Sequence, residues 1–377
     1  MVGARCVARG QSMQSKERSR SADASRRQSL RKRALLLRLV QHRKRRHNAP
    51  MHIPLNTRFS QRFGLASPIA LAPMALAAGG ALAAACARAG ALGLVGGGYG
   101  ELAWTQREYA LAQQASDTGR VGCGFIVWKL DQDASALDWV LEQKPRAIML
   151  SFGDPRPYAK RIAAAGAELL FQVQRVDQVP MAIDAGASVI IGQGGEAGGH
   201  GMNALHGRAT LTLVPELADW LAANSPQTML LAAGGVADGR TLAAVRVLGA
   251  DGALVGSRLW ATQESLAPAG AKAQAVETGG DGTARSRVFD ILRRKDWPAP
   301  YDFRAIRNAL HRKWEDRLDA SSFDQARAEY DAGVKAGDFT RAHATVGEAG
   351  GLIHDLPPAA QVIERMRAGA AEILGGG

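Results

Sequence analysis

Cysteine is nearly absent from the chain. Cys6, Cys86 and Cys123 are isolated, odd in number and outside any metal-ligand spacing, which excludes a disulfide framework and a cysteine-built metal centre. Cys86 falls in an alanine-rich helical stretch and Cys123 in an apolar strand, so both read as core residues. No 18 apolar residues run together, and Leu35-Leu36-Leu37-Leu39-Val40 is too short for a signal sequence, so neither a membrane span nor secretion is expected. No strand–GxGxxG–helix fingerprint opens the chain, which argues against a doubly wound dinucleotide-binding sheet. Acidic residues are scarce in one place: residues 1–50 hold fifteen Lys or Arg against only Glu17 and Asp23. That stretch carries +13 of a net +12, leaving residues 51–377 at −1. The high pI therefore belongs to the tail, and the neutral body is not expected to bind nucleic acid or membrane.

Three readings of the tail compete. It is a basic arm for nucleic acid or anionic lipid, whose binding would be salt-dependent and lost on deleting 1–50. It is an Arg- and Ser-rich transit peptide. Or it is an upstream extension, with translation starting at Met51. Its low apolar content and the neutrality of the body favour the last, so 1–50 is expected to be a disordered basic tail that need not be translated. The body is expected to be cytoplasmic.

From residue 68 onward, short apolar runs alternate with helical patterns. Strands are predicted at 68–72, 92–95, 121–128, 147–151, 168–173, 188–191, 229–233 and 252–255. Helices are predicted at 79–89, 101–115, 134–142, 155–166, 176–185, 213–223 and 238–248, many of them closed by glycine. The strands are continuously apolar rather than alternating, as parallel strands covered on both faces must be. Eight such units predict an α/β fold, a (β/α)8 TIM barrel occupying 51–265. Residues 266–350 break the rhythm. Charged and carrying Trp297, Tyr301, Trp314 and Tyr330, they predict a helical insertion after strand 8, over the barrel mouth, with helices near 303–318 and 323–335. Residues 351–377, with a helix at 358–373, are expected to return to the barrel wall.

Chemistry in such a barrel sits where strands end. The sixth strand runs into Gly192-Gln193-Gly194-Gly195-Glu196-Ala197-Gly198-Gly199-His200-Gly201-Met202. So many glycines raise the entropic cost of folding, and they suit a backbone that must press against a ligand, Gly198 among them. His200 is the one side chain there able to act as acid or base near neutrality. Glu196 reads as an organiser of the loop. Gly234-Gly235 after strand 7 and Gly256-Ser257 after strand 8 are where such barrels build a phosphate site from backbone N–H groups, with Ser257 adding a hydroxyl. Ala72, Pro73 and Met74, with Gly124, Gln172 and Gln193, stand at other strand ends. Gln172 reads equally well as a buried, satisfied amide. Amides and backbone groups without metal ligands suit the polar edge of a flat heterocycle such as a flavin, and no metal is expected.

Residues 68–74, 92–99, 193–201, 232–239 and 249–264 resemble the nitronate monooxygenase family, formerly called 2-nitropropane dioxygenases. Leu150-Ser151-Phe152-Gly153-Asp154-Pro155 and Gly351-Leu352-Ile353-His354 share the likeness, which spans about 65–374. The resemblance implies an FMN-dependent TIM-barrel oxidoreductase that oxidises alkyl nitronates, or nitroalkanes, with molecular oxygen to a carbonyl compound and nitrite, without a nicotinamide cofactor. It places the family's catalytic histidine on His200 and the phosphate-binding backbone on Gly234, Gly235, Gly256 and Ser257. Two departures are visible: Gly124 stands where many members carry asparagine, and Gly-Ser-Arg replaces the commoner Gly-Thr-Arg. The related enoyl-ACP reductases share the Glu-Ala-Gly-Gly-His loop, so the alternative is an NAD(P)H-dependent flavin reductase of enoyl-ACP reductase or quinone reductase type.

Overall fold

A computed structural model describes residues 53–116, 118–317 and 323–375; the expected tail at 1–50 lies outside the described residues. Eight parallel strands form the barrel: β1 (Ile69–Leu71), β2 (Gly93–Gly98), β3 (Val121–Ile126), β4 (Ala147–Ser151), β5 (Glu168–Val173), β6 (Val189–Gln193), and, beyond a strand β7 (Gly199–Met202) that leaves the barrel, β8 (Met229–Ala233) and β9 (Gly252–Val255). Their order is β1-β9-β8-β6-β5-β4-β3-β2. An Ala70–Leu92 bridge closes the ring, with the Leu71 N–H donating to the Leu92 carbonyl at 2.9 Å. The TIM barrel expected from the apolar rhythm is thus formed, and helices follow seven of its strands at or near the predicted positions.

Alternation along each strand separates two apolar layers. Leu94, Met149, Leu170, Ile191, Leu231 and Leu254 pack together inside the barrel. Their neighbours Val95, Ile148, Phe171, Ile190, Leu230 and Val255 pack outward into the cluster shared with the helices. Phe59 and Phe63, on the helix Arg58–Phe63, join the inner layer. Thr57 and Ser60 cap that helix reciprocally. Arg58 binds Asp251 just before β9, and Arg62 binds Glu168 at the start of β5. The helix therefore sits at the N-terminal end of the strands, leaving the C-terminal end for chemistry.

Two expectations are corrected. The stretch 266–350 is not purely helical: it contains β10 (Thr283–Ser286) and β11 (Tyr301–Ile306) beside helices Ala269–Glu277, Val288–Leu292, Ala309–Trp314 and Phe323–Ala336. Buried Phe303 and Ala305 alternate with the more accessible Asp302 and Arg304, the period-2 pattern of a strand, and the helix starts only after Asn308, whose side chain caps His311 N–H at 2.9 Å. The glycine stretch, too, is not loop throughout. Residues 199–202 form β7, which pairs antiparallel with β11 in the order β10-β11-β7 and sets His200 opposite Phe303. The C-terminal helix Ala359–Ile373 lays Val362, Ile363, Met366 and Ala370 into the outer apolar cluster. Close approach of Gly239 to Gly369 and Ala370 lets it sit tightly against the helix Gly239–Val247.

Candidate active site

The strand ends and the 266–350 segment enclose one cavity of about 880 Å³. It is lined by every residue singled out from the sequence: Ala72, Pro73, Met74, Gly124, Gln172, Gln193, Gly198, His200, Gly234, Gly235, Gly256 and Ser257. Leu76, Phe152 and Arg294, also on its wall, hold left-handed backbone at φ of +60°, +61° and +56°, as Lys144 does away from it.

His200 is fixed on three sides. Its Nε2 lies 2.9 and 3.0 Å from the two oxygens of Asp290, which also accepts from Arg293 at 2.7 Å. The Trp297 ring stacks on the imidazole, centroids 3.4 Å apart and 12° from parallel, and Phe303 covers it at 4.8 Å. Trp297 is itself held by its Nε1–H donating to the Tyr99 hydroxyl at 3.0 Å and by Trp128 and Phe152 edge-on to its face. Burial pushes the imidazole down to about 4, overcoming the opposing pull of Asp290, so His200 is neutral at pH 7. A neutral imidazole facing a carboxylate donates from Nε2, which leaves the Nδ1 lone pair without a partner among the described residues. The arrangement is that of a general base oriented by an acid.

An amide chain runs beside it. Gln193 Nε2 donates to the His200 carbonyl at 3.1 Å, and its Oε1 accepts from Gln172 at 3.2 Å and Gln174 at 3.0 Å. Gln172 is thus both satisfied and on the cavity wall. Glu196 accepts from the Thr210 N–H and hydroxyl at 2.9 Å, tying the loop to the helix Thr210–Asn224 as an organiser. The loop's geometry depends on Arg285, whose guanidinium donates to the carbonyls of Gly195, Ala197, Gly199 and Asp302.

The glycines differ in what surrounds them. Gly234 and Gly235 are consecutively left-handed, at φ of +99° and +77°, and a Cβ on Gly235 would meet nothing closer than Glu196 at 4.0 Å. Backbone free of side chains in this way lets a ligand come close to its N–H groups. Ser257 Oγ accepts from the Gly347 N–H at 2.9 Å, which leaves its own proton to donate. Gly198 and Gly124, both on the cavity wall, are in addition points of close approach within the protein. A Cβ on Gly198 would lie 2.6 Å from Gly347 N, and one on Gly124 would lie 2.2 Å from Pro73 Cγ.

Sequence reasoning missed Asp290, Arg285, His343 and Gln174, and gave Trp297 no role at the site. All but Gln174 lie in the 266–350 segment, whose only signal was its density of aromatic and charged residues. Among the described residues no cluster of potential metal ligands is present, and no helix is long and apolar enough to cross a membrane.

A parallel (β/α)8 barrel whose C-terminal mouth holds a buried, carboxylate-oriented imidazole in a deep cavity has the build of a small-molecule enzyme. Residues 101–369 match the sequence model of the family described as nitronate monooxygenase. The nitronate monooxygenase of Neurospora crassa is 33% identical over 338 residues, 80% of this chain and 88% of that protein. Nitronate monooxygenase npaC of Metarhizium robertsii is 31% identical over 275 residues, 67% of this chain and 74% of that one. The chain belongs to the nitronate monooxygenase family, and so to the oxidoreductases. Among solved structures, FabK from Thermotoga maritima is similar with a TM-score of 0.73 at 26% identity, covering 85% of this chain and 98% of that one. Nitroalkane oxidase from Streptomyces ansochromogenes has a TM-score of 0.70 at 24% identity, covering 83% and 98%, a likeness of fold.

Proposed function

We propose that this protein oxidises alkyl nitronates, and neutral nitroalkanes after deprotonation, with FMN and molecular oxygen, to a carbonyl compound and nitrite. The observation that carries the reading is the His200 imidazole on the wall of the shared cavity, kept neutral by burial and oriented at Nε2 by Asp290, with no partner for Nδ1 among the described residues. The residues fit the cofactor: the left-handed Gly234-Gly235 pair and the Ser257 hydroxyl would take its phosphate, and Gln172 and Gln193 would face the polar edge of its ring. FMN, when bound, supplies the redox chemistry with substrate and oxygen.

The chain's own contribution is proton handling and shape. Nδ1 of His200 accepts the proton on the carbon bearing the nitro group. The imidazolium so formed lies between Asp290 and the nascent nitronate anion, two negative charges that offset the desolvation holding its affinity for protons down. Trp297, stacked on the ring, and Phe303, tilted against it, keep water from the imidazole and fix its orientation. A nitronate anion needs no deprotonation and meets only this positioned, neutral edge.

Purified protein should show flavin absorbance that ethyl nitronate bleaches under anaerobic conditions and NADH does not. Bleaching by NADH alone would assign the chain to the reductases, and a colourless protein that FMN cannot reconstitute would overturn the cofactor assignment.

A further inference from the structure

His343 is a second histidine on the same cavity, reached from a segment the barrel does not contain. Its Nδ1 lies 2.7 Å from the Tyr330 hydroxyl. Burial pushes that phenol up to about 12, so it keeps its proton at neutral pH, and it has no other hydrogen-bond partner among the described residues. The imidazole is neutral as well, pushed down to about 3 by burial and by the charge of Arg293. A phenol donates more readily than it accepts, so Nδ1 is the acceptor and the imidazole proton resides on Nε2. Phe289 and Phe303 lie against the ring at 5.9 and 5.8 Å, and Nε2 makes no hydrogen bond among the described residues.

The two histidines are therefore set in opposite tautomers by partners of opposite kind. A carboxylate forces His200 to donate at Nε2 and offer a lone pair from Nδ1. A hydroxyl lets His343 accept at Nδ1 and offer an N–H from Nε2. Phe303 touches both rings, at 4.8 Å from His200 and 5.8 Å from His343. A nitro compound presents the matching pair of groups: an acidic C–H, which needs an acceptor, and beside it two oxygens that gain negative charge as that proton leaves.

We propose that His343 binds an oxygen of the substrate's nitro or nitronate group through Nε2–H, with Tyr330 fixing the tautomer that makes this possible. The assignment rests on the nitronate reading given above. It makes His343 a donor to substrate that complements the base and does not replace it, and Tyr330 a positioning residue.

The test compares wild type with His343→Leu, which deletes the donor, His343→Gln, which keeps an N–H on a side chain of similar reach, and Tyr330→Phe. Steady-state KM and kcat are measured with ethyl nitronate. The dissociation constant of nitrite is measured by calorimetry, and thermal unfolding is followed in parallel. His343→Leu is expected to raise both KM and the nitrite dissociation constant by about 10- to 100-fold, the range for a lost hydrogen bond to an anion, with the melting temperature little moved. His343→Gln should recover most of that loss. Unchanged constants in a folded His343→Leu protein, or a Gln variant as impaired as the Leu variant, would overturn the assignment. If His343→Leu does not fold, Tyr330→Phe decides: freeing Nδ1 should weaken nitrite by threefold or more, and no weakening overturns the proposal. Wild type that fails to turn over ethyl nitronate would sink the nitronate reading alone, because the nitrite comparison reports on the N–H donor without requiring turnover.

Discussion

His200 and Asp290 stand 90 residues apart in the chain, and their side chains meet at 2.9 Å. The contact exists because β7 and β11 pair antiparallel, which brings the 266–350 segment across the edge of the glycine-rich stretch. It converts a histidine that sequence alone could only nominate into one whose tautomer is determined.

Removing the carboxylate should therefore damage proton abstraction more than binding. Asp290→Asn allows the amide to donate to the ring and favours the wrong tautomer. It is expected to lower kcat/KM for neutral nitroethane by roughly 10²–10⁴-fold, as is His200→Ala, while ethyl nitronate suffers much less. Equal losses on both substrates would take proton abstraction away from this pair. Flavin absorbance of each variant reports whether the cavity survives.

The same histidines make stability depend on pH. Unfolded, each titrates near 6.5; folded, His200 does so near 4 and His343 near 3. Between these limits the unfolded chain binds more protons, so the stabilising effect is complete above about pH 6.5 and is lost as pH falls. Each group contributes a slope approaching about 1.4 kcal/mol per pH unit within its window. Urea midpoints at pH 7, 6, 5 and 4 should fall steadily, and His343→Gln should flatten the curve.

Arg285 serves four backbone carbonyls from inside the fold, and burial pushes it down to about 10, still charged at pH 7. Arg285→Met takes that shared donor away, leaving the Gly195 carbonyl to Arg304 alone, and should cost about 3 kcal/mol or more in stability. Arg285→Lys should rescue little, because an ammonium cannot reproduce the planar fork. Denaturant unfolding checks the first expectation, and the fraction of protein retaining flavin checks whether the loop keeps its shape.

Two glycine substitutions should fail for different reasons. Alanine at Gly198 would press on the backbone of Val346 and Gly347, an overpacking expected to cost about 1–3 kcal/mol. Alanine at Gly235 meets open space but must hold φ at +77°, at about 1–2 kcal/mol. If Gly235 belongs to the phosphate cradle, its variant should lose FMN affinity beyond what its stability loss explains, as fluorescence titration would show.

The barrel was legible in the primary structure because its strands declare themselves locally. A run such as Met229-Leu230-Leu231-Ala232-Ala233, apolar at every position and bounded by loop residues, has few alternatives to a strand covered on both faces. The strand-end residues were legible for a related reason: once the strands are placed, topology brings Ala72, Gln172, Gln193, Gly234 and Gly256 to one end of the barrel without further information. That Gly198 lies against the backbone of Val346 and Gly347, and Gly124 against the Pro73 side chain, was not legible, since a glycine is silent about which neighbour needs the space.

What the sequence determined on its own was thus the barrel, its polarity and the nomination of His200, all of which follow from short-range periodicity and from the position of strand ends. Only the tertiary structure decided which atom of His200 is free. That depends on Asp290, Trp297 and Phe303, which reach the ring from a helix, a loop and a strand far along the chain. Neither a hydrogen bond between side chains 90 residues apart nor the stacking of two rings leaves a local pattern. The pattern of the segment that supplies them predicts a helix near 303–318 where β11 runs to Ile306 instead, and strand pairing is the contact that puts the acid beside the base.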